Sequence, residues 1–112
     1  MNKIIQEIET KKNSMINDYR EGDRRREFDR TSEASGYVSS VRDFGFAFLN
    51  GSRFIKNWKN IPVPDSWPFP DGKNWSPKSP REDLIHAAAL IIGEIERLDK
   101  IEESKKNNEY DD

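Results

Sequence analysis

Residues 79–101, S-P-R-E-D-L-I-H-A-A-A-L-I-I-G-E-I-E-R-L-D-K-I, decide the fold class. Leu84, Ile85, Ala88, Ile91, Ile92, Ile95, Leu98 and Ile101 recur at helical spacing and form one continuous apolar face. Ser79 is placed to cap the first turn, and Pro80 stands at the first helical position, where its missing N–H costs nothing. Glu82, three residues after the cap, is expected to reach back to it. Ala87, Ala88, Ala89 and Gly93 are small enough to let another helix approach, so this side is the expected surface of self-association. The spacing predicts a helix over about 80–104. Residues 105–112, KKNNEYDD, have no apolar period and read as a disordered acidic tail.

Ahead of this helix, all three tryptophans (Trp58, Trp67, Trp75) and all six prolines lie between Trp58 and Pro80. Proline lacks a donor and biases its predecessor away from helix, so residues 60–79 should run extended, with a turn at Asp71-Gly72. So long a loop is either functional or disordered, and its aromatic content argues against disorder. Each ring can bury on the order of 150–250 Å² over the helices, or stay at the surface as an anchor for a partner or a planar ligand. We expect Trp58 in the core, and Trp67, Phe69 and Trp75 beside the helix start as the meeting place for a ligand.

Working further toward the amino terminus, Tyr37, Val41, Phe44 and Phe48 are spaced as the aromatic face of a second helix over about 35–50, with Val38 and Leu49 widening it. Asn50-Gly51 should end it, and one of Thr31, Ser32 or Ser35, beside Gly36, should cap it. Phe46 falls off the stripe. Ile4, Ile5, Ile8, Met15, Ile16 and Tyr19 mark a first helix from residue 2, which ends near 21 or, weakened at Gly22, continues to 30. Residues 18–30 hold five arginines and five acids, a balance that suits an ion-paired solvated face better than a nucleic-acid patch. The expected architecture is therefore all-α, one domain over 1–104, with three helices and the Pro/Trp-rich loop laid across them.

Composition narrows function by exclusion. Only 33% of the 112 residues are hydrophobic and 36% are charged, so the core is thin and self-association is expected. A net charge of -2 makes nucleic acid an unlikely partner, since polyanion affinity rests on uncompensated Lys and Arg. There is no cysteine, and no apolar run approaches the roughly 18 residues of a membrane span. His86 is the single histidine, without a second His or a Cys for a metal or nucleophile site. Glu96 and Asp99 match half of the magnesium site of the all-helical nucleotide pyrophosphohydrolases, but the second carboxylate pair is missing. No cofactor is expected. An anion is better served: the last helix begins with free N–H groups, with Lys78, Arg81 and His86 nearby and Trp67 or Trp75 available to stack on a base.

The runs W-P-F (Trp67–Phe69), W-x-P (Trp75–Pro77) and P-R-E-D-L-I-H-A-A-A-L-I-I-G-E-I-E-R-L-D (Pro80–Asp99) resemble the end of a group of small phage and prophage proteins. In that group a Trp-Pro loop precedes a helix close to R-x-D-L-x-x-A-x-A-L-I-x-A-E-I-E-R-L-D. The match covers the last third of the chain. The front half departs from the group, reading F-D-R-T-S-E-A-S-G where Glu-Gly-Trp and His-Asp-Asp often stand, so no role attached to those residues transfers. The resemblance implies a phage origin and a helical fold, and with them a place in the host cytoplasm. The expected function is non-enzymatic binding, as a counter-defence factor that sequesters a nucleotide-type ligand. The alternatives are a module that binds a host or phage protein and a hydrolase with a degenerate metal site.

Overall fold

The computed structural model describes residues 2–15 and 24–109, and every regular element among them is helical. The order is α1 (Asn2–Met15), α2 (Arg24–Ser40), one π-helical turn (Val41–Gly45), α3 (Phe46–Leu49), single 3-10 turns at Trp58–Asn60 and Pro70–Gly72, and α4 (Pro80–Glu109). Helix α4 packs against both α1 and α2. It continues to Glu109, beyond the expected 104, and is exposed from Leu98 through Lys106.

The start of α4 is capped nearly as expected. Ser79 Oγ accepts the Glu82 N–H at 3.0 Å, but the carboxylate that accepts the Ser79 N–H in return belongs to Asp83, not Glu82. The reason is burial: Asp83 is 2% exposed and faces the loop, whereas Glu82 points to solvent.

Which side of α4 faces the core also differs from expectation. Ala87, Ala89 and Leu90 are buried, while Leu84, Ile91, Ile95 and Leu98 stay about half exposed. A cluster of rings explains the choice. Tyr37 is stacked between Trp75, centroids 4.9 Å apart, and His86, at 4.5 Å, with the Trp67 ring edge-on at 5.5 Å. Small side chains on α4 leave room for that cluster, and of the small-residue set Ala87 and Ala89 are buried within the chain while Ala88 and Gly93 are only partly covered.

Helix α2 begins well before residue 35, and Thr31, Ser32, Ser35 and Gly36 lie inside it instead of forming a break. Tertiary packing overrides local preference here. A Cβ on Gly36 would stand 2.8 Å from Trp67 Cε3, so this helical glycine is the seat of the tryptophan ring. Arg24 to Arg30 of the arginine-rich segment belong to α2. The segment's end is not solvated: Arg30, partly buried, donates to the Gly93 carbonyl at 3.0 Å. Ile16, Tyr19, Gly22 and the tail from Tyr110, like the ion pairing expected along 18–29, lie outside the described residues and side chains.

The other end of this helical run stops as read. Gly51 has φ 76°, its N–H donates to Phe48 O at 3.2 Å, and the Ser52 N–H donates to Ala47 O at 2.9 Å, the paired bonds of a Schellman motif. The chain then runs irregularly to Trp58, which is buried against Phe48, with ring centroids 5.4 Å apart. The loop turns at Asp71 and Gly72, both at positive φ, with Val63 packed where a Gly72 Cβ would be.

Candidate functional site

The loop aromatics are committed to the fold. Trp67 is buried and its indole N–H donates to Lys73 O at 2.9 Å. Trp75 stacks on Tyr37 with its N–H directed at Ile61 O, 3.4 Å away, and Phe69 packs edge-on to Trp67. Of the three rings expected to meet a ligand, Trp67 belongs to the buried core, and Phe69 and Trp75, partly exposed, pack against it.

Asp83 is the polar knot of this arrangement. Its Oδ2 accepts the Trp58 indole N–H at 2.6 Å and its Oδ1 accepts the Lys78 backbone N–H at 2.9 Å, in addition to the Ser79 N–H. Burial pushes its carboxyl above the ordinary range, while the three donors pull the other way. Tyr37, 1% exposed, is held neutral by the same physics. Burial raises its hydroxyl to about 12, against the opposing bond from the Ser76 backbone.

The charged half of the expected site does come together. Lys78, Arg81 and His86 line a groove of about 520 Å³ between α1 and the start of α4, with Lys3, Gln6, Glu7, Thr10, Lys11 and Ser14 on the opposite wall and Glu82, Asp83 and Ile85 completing it. Lys3, Lys11, Lys78 and Arg81 thus converge from three segments. Of the three carboxylates present, Asp83 is engaged with the loop and Glu7 accepts from Arg81 Nη1 at 2.6 Å. That bond holds Glu7 below the usual carboxylate range. Lys12 clasps Glu96 at 2.6 Å further along. Both pairs are partly to largely solvated and tie α1 to α4 only weakly.

The α1 contribution is absent from the expected site. Lys3, Gln6, Glu7, Thr10, Lys11 and Ser14 recur at helical spacing, a polar stripe that periodicity can find. Attention to the apolar stripe hides it, yet Ile4 and Ile5 of that stripe are exposed. Among the described residues, no group of three His, Asp or Glu side chains is placed to hold a metal ion, and no helix is long and apolar enough to cross a membrane. Elsewhere, Phe46 and Leu49 on α3 and Phe54 after it are 81%, 73% and 96% exposed.

Comparison with protein-family models, with curated proteins and with solved structures finds no match for this chain.

Proposed function

We propose that this chain is a non-enzymatic binding protein of phage or prophage origin that sequesters a small phosphate-bearing ligand of nucleotide type in the groove between α1 and α4. The observation that carries the reading is the convergence of Lys3, Lys11, Lys78 and Arg81 on one concavity beside the start of a 30-residue helix. Its volume falls in the range of about 300–1,000 Å³ usual for small-molecule sites. The positive end of the helix dipole adds to the attraction for an anion, while the backbone N–H groups of Lys78, Ser79, Glu82 and Asp83 are already engaged within the cap. A ligand phosphate would displace the Glu7 carboxylate from Arg81, which makes Glu7 a built-in competitor. Base recognition falls to the groove wall with Ile85 and His86, because neither Trp67 nor Trp75 lines the groove.

A thermal-shift panel of nucleotides and inorganic phosphate tests this reading. Stabilisation that grows with ligand, weakens with salt, is lost in Lys78→Glu/Arg81→Glu and is strengthened in Glu7→Gln supports it. No shift at millimolar ligand in any arm refutes it.

A second reading, docking to a host or phage protein, is favoured by one feature, the exposed Phe46, Leu49 and Phe54. The hydrolase alternative has less support: Glu96 is spent on Lys12, and a second carboxylate pair has no counterpart among the described residues.

A further inference from the structure

Leu84, Ala88, Ile91, Ile95 and Leu98 follow one another at intervals of 4, 3, 4 and 3, the repeat of a coiled-coil seam rather than of a helix facing a globular core. None of the four large members is buried by the rest of the chain: Leu84 is 43% exposed, Ile91 46%, Ile95 52% and Leu98 48%. The seam is about 21 Å long at 1.5 Å per residue. Opposite it, the core side of α4 is already filled by Ala87, Ala89 and Leu90, so the two faces have separate duties.

We propose that a second copy of this chain covers the seam, with the two α4 helices antiparallel. Volume and charge both select the direction. In a parallel, in-register pair Ala88 would meet Ala88 and leave a hole. Glu102, four residues after Leu98 on the same line, would meet Glu102 with Asp99 beside it. Reversing one helix sets Leu84 level with Ile95 of the second copy and Ala88 level with its Ile91, small against large, while Leu98 falls level with Arg81 at the end of the seam. The acidic end of each seam, Asp99 and Glu102, then lies at the start of the other α4, beside Arg81 and the positive helix terminus. The five seam residues do not line the groove, so dimer formation is read apart from ligand binding, and Arg81 is the residue the two surfaces share.

The absence of cysteine makes the test direct. The full chain should sediment as a dimer of twice 13.1 kDa at micromolar concentration. Ile91→Glu/Ile95→Glu should return it to the monomer mass with its helical circular dichroism intact, since both side chains are solvent-facing. Oxidising an equilibrated mixture of Leu84→Cys and Ile95→Cys chains, one carrying a mass tag, should cross-link the mixed pair at least tenfold over either self-pair. A chain that stays monomeric at 100 µM overturns the proposal, and so does a dimer untouched by the double glutamate variant. Dominant self-pairs overturn its antiparallel sense.

Discussion

Replacing Asp83 by alanine removes the acceptor shared by the Trp58 indole, the Lys78 backbone and the Ser79 backbone. Each of these donors is then left in a site where Asp83 was 2% exposed. A hydrogen bond to a charged group contributes about 1.5–3 kcal/mol, and an orphaned buried donor costs about 1–3 kcal/mol. The three do not add fully, and relief of the burial that raises the Asp83 carboxyl offsets part of the loss. We therefore expect Asp83→Ala to destabilise by about 3–4 kcal/mol, a large part of the roughly 5–15 kcal/mol that holds a domain together. Urea unfolding followed by far-ultraviolet circular dichroism, with tryptophan fluorescence as a second probe, measures it. Trp58→Phe keeps the ring and removes one donor, so it should cost about 1–2 kcal/mol. In that background Asp83→Ala should cost about 1 kcal/mol less, because one orphan has already gone. A loss below about 1 kcal/mol for Asp83→Ala, or strict additivity with Trp58→Phe, would refute the idea that this carboxylate fastens the loop to α4.

Two helical glycines should respond with opposite signs. Gly36→Ala drives a methyl to 2.8 Å from the Trp67 ring and should destabilise by about 1–2 kcal/mol, whereas Gly93→Ala meets Arg30 Nη1 only at 3.6 Å and should gain about 0.5–1 kcal/mol of helix propensity; chemical denaturation of both variants checks the pair. The folded chain holds the Tyr37 proton to about pH 12, against about 10 unfolded, so this group's contribution is intact below pH 10 and lost as pH rises from 10 through 12. The span corresponds to roughly 3 kcal/mol. An alkaline unfolding midpoint unchanged in Tyr37→Phe would contradict it. Ser40 Oγ is buried without a hydrogen-bond partner, so Ser40→Ala should be neutral or stabilising by up to about 1 kcal/mol, and a loss above 1 kcal/mol in thermal unfolding would show an unseen bond.

Signals tied to backbone chemistry were legible in the sequence. Ser79-Pro80 starts α4 and Gly51 stops α3 because capping depends on a few neighbouring residues. The core role of Trp58 was legible for a different reason, the chain's scarcity of other apolar bulk. What escaped depends on contacts between distant segments. Gly36 reads as a break, and only the Trp67 ring, 31 residues away in sequence, reveals it as a helical seat. Periodicity finds the large-residue stripe of α4 but is silent on which side the ring cluster occupies. The same limit applies to the site: Lys78, Arg81 and His86 were found because they surround a recognisable helix start, while Lys3 and Lys11 belong to it only through the packing of α1.

The groove between α1 and α4 is the central functional claim, and a two-dimensional amide spectrum titrated with a nucleoside triphosphate tests it most directly. Binding in the groove should give saturable shifts confined to residues 3–14 and 78–86, with the Trp67 indole resonance unmoved because its N–H stays on Lys73 O. Shifts centred on residues 46–54, or none at millimolar ligand, would contradict it.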